Sequence, residues 1–294
     1  MNRILKDLLN LLNLETLEDN LFRGDSRDLG GKSVFGGQVI SQALVAASRT
    51  VTASTPHSLH AYFLRPGDMA KPIVYEVDRI RDGRTFTARR VQAIQNGHPI
   101  LSMMASFQRP EEGLEHQAPM PQVPQPEQLK TLAAHYEQWL DDVPELPERI
   151  HHALTREVAI EFKPVDPGNP FNPQPQPPSQ AIWLRAGGKL PDDPLLHRCV
   201  LAYASDFHLL STALRPHARR SFSENMAIAS IDHALWFHRD LRVDDWLLYV
   251  MESPTAQGAR GLSRGLFYDR SGRLVASATQ ENLMREIGAP ATHE

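Results

Sequence analysis

Hydrophobic residues recur along this chain with two different periods. In the first dozen residues, Ile4, Leu5, Leu8, Leu9 and Leu12 share one helical face while Lys6, Asp7 and Asn10 interrupt it, which predicts an amphipathic helix lying on the body. Residues 34–50, VFGGQVISQALVAASRT, keep helical spacing through Val39, Ile40, Ala43, Leu44, Ala46 and Ala47. Their small side chains admit close neighbours, so a buried central helix is expected. The period then changes. Segments 57–66, 73–83, 85–97 and 98–108 are short, rich in aromatic and branched residues, and punctuated by Asp-Gly and Asn-Gly, as antiparallel hairpins require.

The same order returns later. Residues 195–214, LLHRCVLAYASDFHLLSTAL, read as a buried helix, followed by strand-like segments at 226–239, 246–258, 259–272 and 273–284. At a constant offset of 175, Gly97 falls on Gly272, Ile100 on Val275 and Ser102 on Ser277, and HAYFLRP echoes HALWFHR at an offset of 173. Repeated element order with these matches argues for duplication. The expected division is a first unit at 1–115, a connector at 116–154 with one helix near 129–140, and a second unit at 155–294.

Composition sharpens this. Of 23 prolines, 13 fall between Pro119 and Pro178, which excludes one continuous barrel or doubly wound sheet through the middle of the chain. The loop at 163–180 holds seven of them and is expected to be an ordered surface excursion, because Phe162 and Phe171 and strand-like flanks anchor it. A net charge of -4 from 31 basic and 35 acidic residues points away from nucleic-acid binding, and one cysteine excludes a disulfide framework. The polar face of the first helix is not strongly basic and no long apolar run follows, so a cytoplasmic protein without stable membrane association is expected.

Candidate chemistry is sparse. Gly261 to Gly265, GLSRG, matches a nucleophile elbow, but strand and turn residues follow it and the only later histidine is His293, so Ser263 is not expected to act. Cys199 sits at helical spacing with Leu196 and Tyr203, as a core thiol would. The 13 histidines form no metal-ligand pattern. Asp206 stands out: in a regular helix it lies on the face marked as buried by Cys199, Tyr203 and Leu210, where a carboxylate needs a partner. The other reading, a helix terminator after Ser205, stays open. Ser230, Asp232, Thr279 and Gln280 are polar candidates to meet it.

At these residues the chain resembles the acyl-CoA thioesterase II family. The resemblance rests on LLNLLNLE at the start, LFRG at 21–24, VFGGQV at 34–39, HSLHAYFLRPGD at 57–68, RDGRTFTARRVQAIQNG, YASDF at 203–207, IDHALWFHR at 231–239 and ATQE at 278–281, in one order along nearly the whole chain. It implies an α+β double hot-dog fold, two tandem units each wrapping an antiparallel sheet around a long helix, with the sheets joined. It further implies hydrolysis of medium to long-chain acyl-CoA without a cofactor or metal, and association into a homodimer or homotetramer. The family's aspartate, hydroxyl residue and glutamine fall on Asp206, Ser230 and Gln280, with serine where close relatives carry threonine. In the expected mechanism these hold the attacking water, while N–H groups at the helix start around Gly36, Gly37 and Gln38 meet the oxyanion, and His57 supports the pocket. Arg65, Arg89 and Arg90 are generic candidates for coenzyme A phosphates. A hydratase or dehydratase of hot-dog type and a non-catalytic acyl-CoA binding protein are the competing readings.

Overall fold

The computed structural model describes residues 2–29, 31–140, 154, 157–219 and 225–288. Helix α1 (Arg3–Leu12) buries Leu5, Leu8 and Leu12, and Asn2 caps it by accepting from the Leu5 N–H at 2.8 Å. A short hairpin, β1 (Glu15–Glu18) and β2 (Leu21–Gly24), leads to the buried helix α2 (Gly36–Ser48). Strands β3 (Thr55–Phe63), β4 (Ile73–Asp82), β5 (Phe86–Gln95) and β6 (His98–Gln108) follow. Asn96 and Gly97 both adopt positive φ, +51° and +76°, as the tight turn of the β5–β6 hairpin demands.

Beyond the connector helix α3 (Leu132–Leu140), the second half contains β7 (Ile160–Pro164), β8 (Ser179–Ala186), α4 (Pro194–Ser205), α5 (Leu209–Leu214), β9 (Met226–Ser230) and β10 (Asp232–Phe237). It ends in β11 (Leu247–Gln257), β12 (Arg260–Asp269) and β13 (Leu274–Glu286). Among the described residues thirteen strands form one antiparallel sheet ordered β1-β2-β4-β5-β6-β3-β10-β13-β12-β11-β8-β7, with β9 beside β13. The order is symmetric about the β3–β10 seam, where Leu59 faces Leu235, so each central helix has an equivalent set of strands and the double hot-dog architecture is present.

One expectation needs correction. Residues 195–214 are not a single helix: α4 stops at Ser205, His208 takes φ +71°, and α5 starts afresh at Leu209. The break turns Phe207 onto Phe35 (ring centroids 4.5 Å apart) and His208 onto Phe162 (4.7 Å), so apolar burial holds the kink. The hairpin at 15–24 was not anticipated, because its polar sequence ETLEDNLFRG has no clear alternation.

The proline-rich connector crosses the outer face of the second half of the sheet. Met120, Val123 and Leu129 pack on Trp183, Trp246, Leu248 and Tyr268, and the Trp183 indole donates to the Pro124 carbonyl at 2.9 Å. The loop before β8 is ordered, with Phe171 buried.

Candidate active site

Helices α2 and α4 pack side by side, and the start of α2 meets the end of α4. This approach depends on two glycines. A Cβ on Gly36 would lie 2.7 Å from Asp206 Oδ2 and from the Phe63 ring, and one on Gly37 would lie 2.4 Å from the Tyr203 carbonyl. Phe35, at the N-cap of α2, offers no capping side chain, and the carboxylate of Asp206 takes that place by accepting the Gly37 N–H at 2.8 Å.

Asp206 therefore occupies both positions that the sequence left open. It is the C-cap residue of α4, and it is 9% exposed. Its pKa is raised from 3.8 to about 7 by burial, with hydrogen bonds from Gly37, Gln280 and Ser230 acting in the opposite direction. The Tyr249 hydroxyl donates to the Ser205 carbonyl at 3.2 Å beneath it, and burial, reinforced by the nearby carboxylate, pushes that phenol well above its usual range.

Ser230 and Gln280 reach Asp206 from the sheet. The strand is interrupted at Ile231, whose N–H donates to the Glu281 carbonyl and whose carbonyl accepts from Phe63, so β9 and β10 are offset and Ser230 turns toward α4. Its hydroxyl donates to Asp206 Oδ1 at 3.4 Å. On β13 alternation puts Ala278, Gln280 and Asn282 on the buried face. Gln280 Nε2 donates to Ser230 Oγ at 3.0 Å and to Asn282 Oδ1 at 2.7 Å. Its Oε1 lies 2.6 Å from His233 Nδ1, and His233 Nε2 lies 2.9 Å from Ser205 Oγ. His233 was not anticipated as part of the site, although the alternating burial of β10 places it with Leu235 and Phe237 on the inner face.

Other candidates lie elsewhere. His57 bonds Ser106 Oγ at 2.8 Å and meets Phe86 edge-on, six residues along β3 from the Phe63 ring that abuts the site. At the rise of an extended strand that is roughly 20 Å. The Gln38 side chain accepts from the Arg27 N–H and donates to the Asp25 carbonyl, holding the segment before α2. Arg89 is fully buried on Thr50 and Asp82, Arg90 pairs with Asp78, and Arg65 donates to the Pro99 carbonyl. Burial thus removes Arg89 from the candidates for a phosphate. Asp232 accepts the Glu281 N–H at 2.7 Å, and Thr279 lies on the outer face between Ala234 and Arg264.

Ser263 is in mid-strand and donates to the Leu209 carbonyl at 2.8 Å, so GLSRG builds no elbow. Burial pushes the Cys199 thiol up to about 12, away from a reactive thiolate. Among the described residues no group of histidine, cysteine and carboxylate side chains could hold a metal ion, and no helix is long and apolar enough to cross a membrane.

Next to the site opens a cavity of about 700 Å³. Phe35, Tyr203 and Phe207 form its wall nearest Asp206, and Phe162, Leu132 and Tyr136 line it further out. A second space of about 340 Å³ lies beyond, and Leu132, Tyr136 and His208 line both.

The comparisons with known proteins agree with this arrangement. The family model for the acyl-CoA thioesterase N-terminal domain matches residues 25–108, and that for acyl-CoA thioesterase matches residues 151–283. Acyl-CoA thioesterase 2 of Haemophilus influenzae is 42% identical over 97% of this chain and 99% of its own length. Human acyl-coenzyme A thioesterase 8 is 43% identical over 94% of this chain and 88% of its own. The crystal structure of the acyl-CoA thioesterase II TesB2 of Mycobacterium marinum superposes with a TM-score of 0.78 at 40% identity, covering 96% of this chain and 99% of that one. A dehydratase domain of PpsC from Mycobacterium tuberculosis, 10% identical with a TM-score of 0.52, shares the fold alone. With two relatives above 40% identity along nearly its full length, this chain belongs to the acyl-CoA thioesterase II family of double hot-dog enzymes.

Proposed function

We propose that the protein hydrolyses medium to long-chain acyl-CoA to free fatty acid and coenzyme A, by direct attack of a water held by Asp206, Ser230 and Gln280. The observation that carries this reading is the Asp206 carboxylate itself, bonded by Gly37 and Ser230, with a pKa near 7. A base poised there accepts a proton from water and can return it to a leaving thiolate. Water oxygen forms the new bond to the thioester carbonyl carbon as its proton passes to Asp206. The C–S bond then breaks, and the sulfur takes the proton back.

Negative charge gathers on the carbonyl oxygen meanwhile. The Gly37 N–H is committed to Asp206, so the reading assigns this charge to the Gly36 N–H, at the first helical position where no intrahelical acceptor exists. The acyl chain enters the 700 Å³ cavity, whose aromatic and aliphatic wall begins beside Asp206. A hydratase or dehydratase would need an acid–base pair of aspartate and histidine over the chain. Here His233 stands behind Gln280 and hydrogen-bonds to it and to Ser205 instead, which favours hydrolysis.

The same reading retains a cofactor-independent cytoplasmic homo-oligomer with the units divided at 1–115, 116–154 and 155–294. Tyr62 and Met104, 60% and 42% exposed on the outer face of β3 and β6, support association. Thiol release from a panel of saturated acyl-CoA substrates by purified wild-type and Asp206→Asn protein tests the chemistry. Loss of the base should lower turnover on the order of 10²–10⁴-fold. Near wild-type turnover in the variant would overturn the assignment.

A further inference from the structure

Behind Asp206 and Ser230 the chain buries a second layer of polar side chains. Asp206 and Ser230 retain some exposure, whereas Gln280, Asn282 and Ser205 are fully enclosed and His233 is 1% exposed. None of these side chains lines the 700 Å³ cavity, whose wall approaches them at Tyr203 and Phe207. Their contacts nevertheless form a closed circuit: Ser205 to His233 at 2.9 Å, His233 to Gln280 at 2.6 Å, Gln280 to Ser230 at 3.0 Å, and Ser230 to Asp206 at 3.4 Å. Asp206 is the next residue after Ser205, so the circuit begins and ends on adjacent positions of the same helix end.

Donor and acceptor counting gives this circuit a direction. A carboxamide has two N–H donors on nitrogen and an acceptor oxygen. Gln280 turns its nitrogen to Ser230, Asn282 and the Asp206 carboxylate, which share its two hydrogens, leaving Oε1 against His233 Nδ1. Two acceptors 2.6 Å apart would repel, so Nδ1 carries the hydrogen. Burial holds the His233 imidazole neutral, with its pKa lowered to about 4, so that hydrogen is its only one and Nε2 is an acceptor. The Ser205 hydroxyl then donates to Nε2 in preference to the Ala202 carbonyl at 3.0 Å.

Asn282 cannot fix the Gln280 orientation alone. Its Nδ2 has no partner among the described residues, so it could reverse its own amide and accommodate either orientation of Gln280. If Gln280 turned over, its oxygen would face Ser230 and draw the hydroxyl hydrogen away from Asp206. Whatever fixes the amide therefore fixes the serine.

We propose that His233 is a positioning residue for hydrolysis, its Nδ1–H holding the Gln280 carboxamide so that Ser230 has a single remaining role as hydrogen-bond donor to Asp206. The inference rests on the proposed function, since it concerns the geometry of the same water-holding group. It extends the machinery by one residue that never touches the substrate, and it explains a buried histidine on the inner face of β10 that packing alone would fill better with an aliphatic side chain.

The experiment compares two replacements. In His233→Asn the Nδ2–H stands where the histidine Nδ1–H stood, but the residue is smaller and leaves a void; His233→Phe fills the space and removes the donor. A positioning role predicts that the asparagine variant keeps most of its turnover while the phenylalanine variant loses kcat on the order of 100-fold, with KM unchanged. A packing role predicts the reverse order of damage, and that result would overturn the proposal. Should the phenylalanine variant fail to fold, ¹⁵N NMR of histidine-labelled wild-type protein decides, with the signal assigned by its absence in His233→Asn. The Nδ1–H tautomer at neutral pH is expected, and the Nε2–H tautomer would overturn the proposal without any kinetics. Asp206→Asn, measured alongside, separates the two claims: full activity there defeats the general-base reading, whereas an inactive Asp206→Asn with a fully active His233→Phe defeats only the role of His233.

Discussion

At the scale of single residues, the site is a compromise between a carboxylate's need for water and a reaction's need for its absence. Asp206 gains one N–H from the start of α2 and a hydroxyl from Ser230, yet burial outweighs them and its pKa settles near 7. Two consequences have opposite signs. As pH rises through about 7 the base ionises, so kcat/KM should climb and then level off, while His233, neutral above about 4, contributes no second titration there. Stability moves the other way. The unfolded carboxyl ionises near 3.8 and the folded one only near 7, so stability falls across that window and stays reduced above it, by about 4 kcal/mol. Asp206→Asn should therefore melt at a higher temperature than wild type at pH 8, with the difference disappearing near pH 3.5. Equal melting temperatures at pH 8, followed by circular dichroism, would contradict a strained base. Asp206 was legible in the sequence as a carboxylate out of place. The hydrogen-bond direction around it was not, because it depends on His233, which lies on another strand and is near Gln280 only in space.

At the scale of elements, the break between α4 and α5 and the interruption between β9 and β10 do the assembling. Helical spacing across 195–214 is continuous in the sequence, so pattern alone reads one helix. Tertiary packing of Phe207 and His208 on Phe35 and Phe162 overrides it. Strands closed by tight turns were readable, since Asn96–Gly97 and Ser271–Gly272 specify hairpins locally. The connector helix was readable in existence but not in purpose. The residues of α3 are half-buried or exposed, and the half-buried Leu132 and Tyr136 stand where the 700 Å³ and 340 Å³ cavities meet. Partial burial pushes the Tyr136 phenol up to about 12, and its ring meets Phe171 edge-on. Tyr136→Ala should join the two spaces and move the optimum of kcat/KM toward longer acyl chains, measured over a series of saturated substrates. An unchanged optimum would show that the acyl chain takes another course.

At the scale of the whole molecule, duplication has been turned into a single body. Gly36 and Gly37 come from the first central helix while Asp206, Ser230 and Gln280 come from the second half, so the carboxylate is held only when both are joined. The repeated order of helix and hairpins was visible along the chain. Which strands meet across the halves was not, because β3 and β10 are separated by some 170 residues and their register is set by mutual burial rather than by a turn. That seam should make unfolding cooperative. Leu59 and Leu235 face one another with no exposure, and α2 packs on α4 across the same junction. All four tryptophans, Trp139, Trp183, Trp236 and Trp246, lie in the connector or the second half, and Trp236 stands against His60 across the seam, so their fluorescence reports the second half and the seam while far-ultraviolet circular dichroism reports both halves. In denaturant the two signals should change together for wild type. Leu235→Ala should lower the unfolding free energy by about 2–5 kcal/mol and shift both curves equally. Separate midpoints would mean that each hot-dog unit is stable alone, and that the seam aligns the site without holding the fold.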